Sequence, residues 1–141
     1  MRIDKKGFFS VDALFAVMLL LLVSTSFLHI YEGRKAGVEL TTAKLEAKMV
    51  GEKLAAALNT VYANGSYFEL RVSLPENVGS CRYQISFENS TRQISVENSA
   101  WETIVVTVGF ENIRNFTLGW EDLQDEIRLY WVDNQMRVES T

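Results

Sequence analysis

The chain is poor in the residues that carry most protein chemistry. Its one cysteine, Cys81, excludes an intramolecular disulfide framework and any multi-cysteine metal site. Its one histidine, His29, stands at the end of an apolar run, the place of an interfacial residue rather than of a general base. Positive charge is in deficit: 14 Lys and Arg face 18 Asp and Glu, a formal net charge of -4. No basic stripe exists to neutralise phosphates, so nucleic acid is not an expected partner. No phosphate-cradling loop, zinc motif or nucleophile elbow occurs. Cys81 has Arg82 as its one cationic neighbour and no histidine near it in sequence, so it reads as a core cysteine rather than a reactive thiolate. The acidic run Glu121, Asp122, Asp125 and Glu126 lacks the spacing and glycine of a calcium loop and reads as a solvated turn or one helical turn. The expectation is a protein that is not an enzyme and has neither cofactor nor metal.

What the chain does have is distributed unevenly. Apolar residues concentrate before position 32, while charge and hydroxyls dominate after it. From Ala13 to Tyr31 there is no Asp, Glu, Lys or Arg, 19 residues that nearly cross a hydrocarbon core of about 30 Å at about 1.5 Å per residue. Lys5 and Lys6 precede this run, which by the positive-inside rule keeps the N-terminus cytoplasmic and sends residues after 32 outside. Arg34 and Lys35 on the far side oppose that assignment in part. Asp12, at the edge of the run, is of no use to an ordinary anchor.

Three readings of this segment compete. One is a plain uncleaved single-pass anchor carrying an extracytoplasmic binding or stator-like domain. The second is a removable secretory signal, with "MRIDKK" as the charged region and "STS" (24–26) as the small residues before a cut after Ser26. In the third, a short basic leader ends at Gly7, the mature chain starts at Phe8, and the apolar helix is retained. Only the third gives Asp12 a task.

"KKG" followed by "FFSVD" and an apolar helix resembles the leader and mature start of type IV pilin-like proteins, in particular archaeal proteins with a class III signal peptide. The resemblance implies cleavage between Gly7 and Phe8 by a membrane-embedded prepilin peptidase, with Lys5 and Lys6 as the leader's basic residues. It further implies an assembly platform in the membrane and packing of the apolar helices of many subunits, alike or different, into a filament core. Archaeal members often carry Gln first, Ser third and Glu fifth after the cut. Here Ser10 matches, Asp12 is a shortened match, and Phe8 departs toward the bacterial habit of starting with Phe. The resemblance is specific over residues 5–31 and architectural beyond. Physical chemistry agrees with it: cutting after Gly7 frees an α-amino group on Phe8, and the Asp12 carboxylate can pair with that amine in its own or a neighbouring subunit, which offsets the cost of burying either charge alone. In lipid, where apolar helices gain little from meeting, such a polar contact, with Ser10 beside it, helps set the stagger between subunits.

Helical spacing continues past the apolar run. Val38, Thr42, Leu45, Met49, Val50, Leu54, Leu58 and Val61 recur as one stripe, "EKLAAALNTVYA" has high helix propensity, and Asn64-Gly65 is a stop signal. Gly33, Gly37 and Gly51 are the places where the rod would bend. The stripe must be covered, by the C-terminal domain or by a neighbouring subunit. From Tyr67 the period becomes two: Phe68 to Leu74, Cys81 to Phe87, Ile94 with Val96, residues 101–110, 115–120, and 127–132 turning at "DNQ" into "MRV" predict about six mostly antiparallel strands with one face on the helix. Trp101, Trp120 and Trp131 are either core or exposed contact residues.

Asn64, Asn89 and Asn115 open the glycosylation sequons "NGS", "NST" and "NFT", all on the side assigned to the outside. The expected organisation is a leader (1–7), a transmembrane and filament-core helix (8–31), an extracytoplasmic amphipathic helix (32–65) and a β-sheet headgroup (66–141). That is an α+β fold, a long N-terminal helix on a mostly antiparallel sheet. The expected life is that of a membrane precursor, bathed in lipid, which becomes a subunit of a surface filament.

Overall fold

The computed structural model describes residues 11–141. Lys5, Lys6, Gly7, Phe8 and Ser10 therefore lie outside the described residues. The chain divides into two units, one ending at Val38 and one spanning Glu39–Thr141. The fold is α+β, as the two sequence periods predict.

Helix α1 runs from Val11 to Asn64. It passes Gly33 and Gly37 without interruption, and a Cβ at either position would meet nothing within 4 Å. It stops where sequence places the stop: Gly65 takes φ +82°, and its N–H donates to the Val61 carbonyl at 3.2 Å, an orphan acceptor of the last turn.

Seven strands follow: β1 (Leu70–Val72), β2 (Gln84–Glu88), β3 (Gln93–Asn98), β4 (Trp101–Thr107), β5 (Phe116–Leu118), β6 (Ile127–Val132) and β7 (Gln135–Ser140). They form two antiparallel sheets, not one, ordered β1-β6-β7 and β4-β3-β2-β5. Two of the predicted strands are shorter than their alternation suggests. Only Leu70–Val72 pairs in the first, and Cys81 makes an isolated bridge with Val78 rather than joining β2. The β6–β7 hairpin closes through Asp133 (φ +49°) and Asn134 (φ +63°), the pair of left-handed residues that a two-residue hairpin matching strand twist requires.

The core lies between the outer part of α1 and the two sheets. Leu54, Leu58 and Val61 are fully enclosed with Ile85, Ile94, Val96, Ile127, Leu129 and Met136. Each such side chain contributes about 1.5–3 kcal/mol relative to exposure. The buried face of α1 differs from the predicted stripe at its start. Ala43 and Ala47 face the domain, whereas Val38, Leu45 and Met49 are 65%, 58% and 67% exposed. The reason is close approach: Gly79 lies so near α1 that a Cβ there would overlap Ala43, which only a small residue permits. Gly51 does the same against the Val106 side chain. Polar ties hold the contact, the Gly79 N–H donating to Glu46 Oε2 at 2.8 Å and Lys53 Nζ donating to the Ser73 carbonyl at 2.6 Å.

Tyr83 anchors the same region. Its ring is buried, its hydroxyl donates to the Pro75 carbonyl at 2.5 Å, and burial holds its pKa well above the ordinary tyrosine value. A folded pKa raised above an unfolded value of about 10 gives stability that is complete below pH 10 and falls as pH rises beyond it. Tyr83→Phe should therefore lose about 0.5–1.5 kcal/mol near neutrality, through the missing hydrogen bond. It should also show a shallower decline between pH 9 and 11. Urea melts in detergent micelles at several pH values measure both.

Candidate functional site

The feature that distinguishes this chain is the inner part of α1, and its character follows from side-chain chemistry. Leu14, Phe15, Leu19, Leu20, Leu21, Leu22, Phe27 and Leu28 are all more than half exposed, so the helix is apolar around its whole circumference and none of the described residues covers it. A helix of this kind needs lipid or other apolar helices about it. Its length and composition suffice to cross a membrane. The polar residues inside the run are arranged for such surroundings: Thr25 Oγ1 donates to the carbonyls of Leu21 (2.9 Å) and Leu22 (3.0 Å), and Ser26 Oγ donates to Leu22 at 2.8 Å. Returning these two hydroxyls to the helix backbone satisfies their donors in hydrocarbon. The small residues 24–26 thus sit within continuous helix.

Asp12 stands in the first described turn of α1. The proposed cleavage residues Gly7 and Phe8, the leader lysines Lys5 and Lys6, and the register residue Ser10 fall outside the described residues. His29 is exposed toward the far end of the run, and Tyr31 closes it.

No family model, curated protein or solved structure matches the chain. What it does is therefore argued from its own residues.

The three sequon asparagines are all exposed, in different settings. Asn64 ends α1 and its Nδ2 donates to the Thr60 carbonyl at 2.7 Å. Asn89 lies in the turn between β2 and β3. Asn115 approaches it, its Oδ1 accepting the Asn89 backbone N–H at 2.8 Å, so two sequons far apart in sequence share one edge of the sheet. Sequence spacing gave no sign of that meeting.

The remaining singled-out residues lie in the β domain. Cys81 is half-buried against the core, and Trp101 is buried. Trp131 is half-buried with its indole N–H donating to the Val61 carbonyl at 3.2 Å. Trp120 is half-buried beneath the Arg82 guanidinium, 3.7 Å above its ring, at the edge of an open concavity of about 400 Å³ shared with Gln84, Glu97 and Thr103. The acidic run forms a single 3-10 turn, Asp122–Gln124, whose Asp122 accepts from the Gly119 N–H at 2.8 Å and the Ser140 hydroxyl at 3.0 Å. On the outer rim, Arg128 donates to Glu69 at 2.6 Å and this hydrogen bond holds the Glu69 carboxyl below the usual carboxylate range.

Proposed function

We propose that this protein is a structural subunit of a type IV pilus-like surface filament, made as a membrane precursor whose leader is cut between Gly7 and Phe8. The observation that carries the reading is the junction of "KKG" and "FFSVD" with an apolar helix that none of the described residues covers. Before assembly that helix lies in lipid; in the filament its neighbours are the same helices of other subunits. The prepilin peptidase and a membrane assembly platform are the partners this scheme needs. The Phe8 amine and the Asp12 carboxylate, with Ser10, form the register contact at the buried base of the core. The antiparallel β domain faces the medium, where Asn64, Asn89 and Asn115 are available to carry a hydrophilic sugar coat.

Two alternatives remain defined by the same segment, an uncleaved membrane anchor bearing a binding or stator-like domain and a domain released after Ser26. Gly7→Val separates them from the filament reading. In the native host, loss of the small residue at the cut should leave the full-length precursor in the membrane and abolish surface filaments containing the protein. Intact mass and immunogold labelling read both effects. Normal filaments from the Gly7→Val chain would refute the proposal.

A further inference from the structure

Three of the four sheet edges in the β domain are short or engaged, and one is not. β1 and β5 are three-residue strands, and the outer side of β7 is occupied by the Arg114 N–H donating to the Met136 carbonyl and the Met136 N–H donating to the Asn112 carbonyl. β4 is different. It ends the four-stranded sheet, runs seven residues, and from Thr103 to Thr107 reads Thr-Ile-Val-Val-Thr without charge or proline. Natural edges are blunted by shortness, charge, proline or bulges; the ladder shifts register between Ile104 and Trp101, and beyond that shift the β-branched edge from Ile104 to Thr107 has none of these and is a template for another strand.

The backbone direction is fixed by the ladder. Residues opposite one another in an antiparallel pair alternate between exchanging both hydrogen bonds and exchanging none. The Val108 N–H donates to the Arg92 carbonyl at 2.8 Å, in register with Ile94↔Val106 and Val96↔Ile104, so the even-numbered residues of β4 bond inward to β3. Val105 and Thr107 accordingly turn their N–H and C=O groups to the open edge, and Thr103, beside the register shift, its C=O. Their side chains are exposed too, Val105 at 47%.

We infer that β4 is a self-pairing edge, which joins a second copy of this chain through an antiparallel β4–β4 contact centred on Val105. The sequence is complementary to itself about that point. Val105 meets Val105 of the second copy, each Thr103 meets a Thr107, and each Ile104 meets a Val106. These threonine and β-branched pairs are among the favourable cross-strand combinations. Val105 then exchanges both backbone bonds with Val105 of the second copy, and each Thr107 N–H meets a Thr103 carbonyl. Charge agrees with the register: each Glu102 falls beyond the paired stretch, the two carboxylates stand about 20 Å apart at about 3.4 Å per residue, and each keeps its own Lys44 at 3.4 Å. Centring on Ile104 instead would place each Glu102 opposite Val106 of the other copy. Such a two-fold contact closes on itself and does not propagate. It therefore links the headgroups of two copies and is distinct from helix packing along a filament; it does not depend on leader removal.

Cross-linking of the full chain in detergent micelles tests the contact, in a Cys81→Ala background. Val105→Cys places two Cα atoms about 5.5 Å apart across the pair, inside the range a disulfide spans. With copper phenanthroline it should give mostly covalent dimer, at least fivefold more than Ser99→Cys in the exposed β3–β4 turn. Adding Thr107→Pro, whose missing N–H faces the open edge and not β3, should suppress that dimer while the near-ultraviolet circular dichroism is unchanged. Equal cross-linking at positions 99 and 105, or a yield indifferent to the proline, overturns the inference. Hydrogen exchange on the unmodified chain decides independently of any variant's folding. The amides of Val105 and Thr107 should be protected at high protein concentration and lose protection on dilution. Fast exchange at all concentrations overturns it.

Discussion

Gly79→Ala is expected to destabilise the β domain by about 2–4 kcal/mol, a large effect for one methyl group. Two costs combine. The new Cβ would overlap the Ala43 Cβ and come within 3.2 Å of its Cα, so a helix backbone rather than a flexible side chain must move. Overpacking of this kind costs about 1–3 kcal/mol. Gly79 also has φ +55°, a left-handed conformation that costs a residue bearing a Cβ about 1–2 kcal/mol. Displacing the loop further weakens the Gly79 N–H to Glu46 hydrogen bond. Chemical denaturation of the chain in micelles measures the loss. Ala43→Gly in the same chain should restore the steric part and leave the conformational part, so the double variant should lie between wild type and Gly79→Ala even after the helix pays about 0.5–1 kcal/mol for its new glycine. A Gly79→Ala melt identical to wild type would mean that α1 and the 73–80 loop do not pack this closely.

Asp12→Ala is expected to abolish or sharply reduce filament formation while leaving membrane insertion intact. Removing the carboxylate makes the inner segment more apolar, so insertion improves if anything. The proposed partner, the Phe8 amine, would then be buried unpaired in the filament core. Breaking a buried ion pair from one side costs about 3–5 kcal/mol, and each 1.4 kcal/mol is about tenfold in an equilibrium constant. The assembled fraction should fall by at least a hundredfold, measured as sheared filament protein against membrane-bound protein. Asp12→Glu should retain much of it, because the charge survives. Unchanged assembly in Asp12→Ala would remove the register pair from the account.

Sequence made the broad plan legible because its two periodicities differ so sharply. The continuous apolar run, the 3.6-residue spacing to Val61 and the Asn64-Gly65 stop all mark one long helix, and the alternation after Tyr67 marks antiparallel strands. The failures came where small residues rather than large ones decide the packing. Val38, Leu45 and Met49 look like core positions by hydropathy, yet Ala43, Ala47 and Gly79 set the contact because they let two backbones approach. Alanines give a weak hydropathy signal, and Gly79 resembles any turn glycine until Ala43 is beside it. The split into two sheets was likewise hidden, since alternation says which residues share a face and nothing about which strands pair.

Around the functional segment the legible part was the apolar helix itself, exposed from Leu14 to Ile30. The meeting of Asn89 with Asn115 and the open edge of β4 could not be read from the chain. The first depends on the long-range pairing of β2 with β5, and the second on no further described strand joining β4, which no local pattern specifies.

The most direct test of the central claim is the N-terminal sequence and intact mass of the protein isolated from its native membranes and surface filaments. The account predicts a mature chain beginning at Phe8, its mass lower than the precursor by the seven-residue leader. A chain beginning at Met1 would contradict leader removal and leave an anchored domain. One beginning at Phe27 would show that the apolar helix is discarded and that the protein builds no filament.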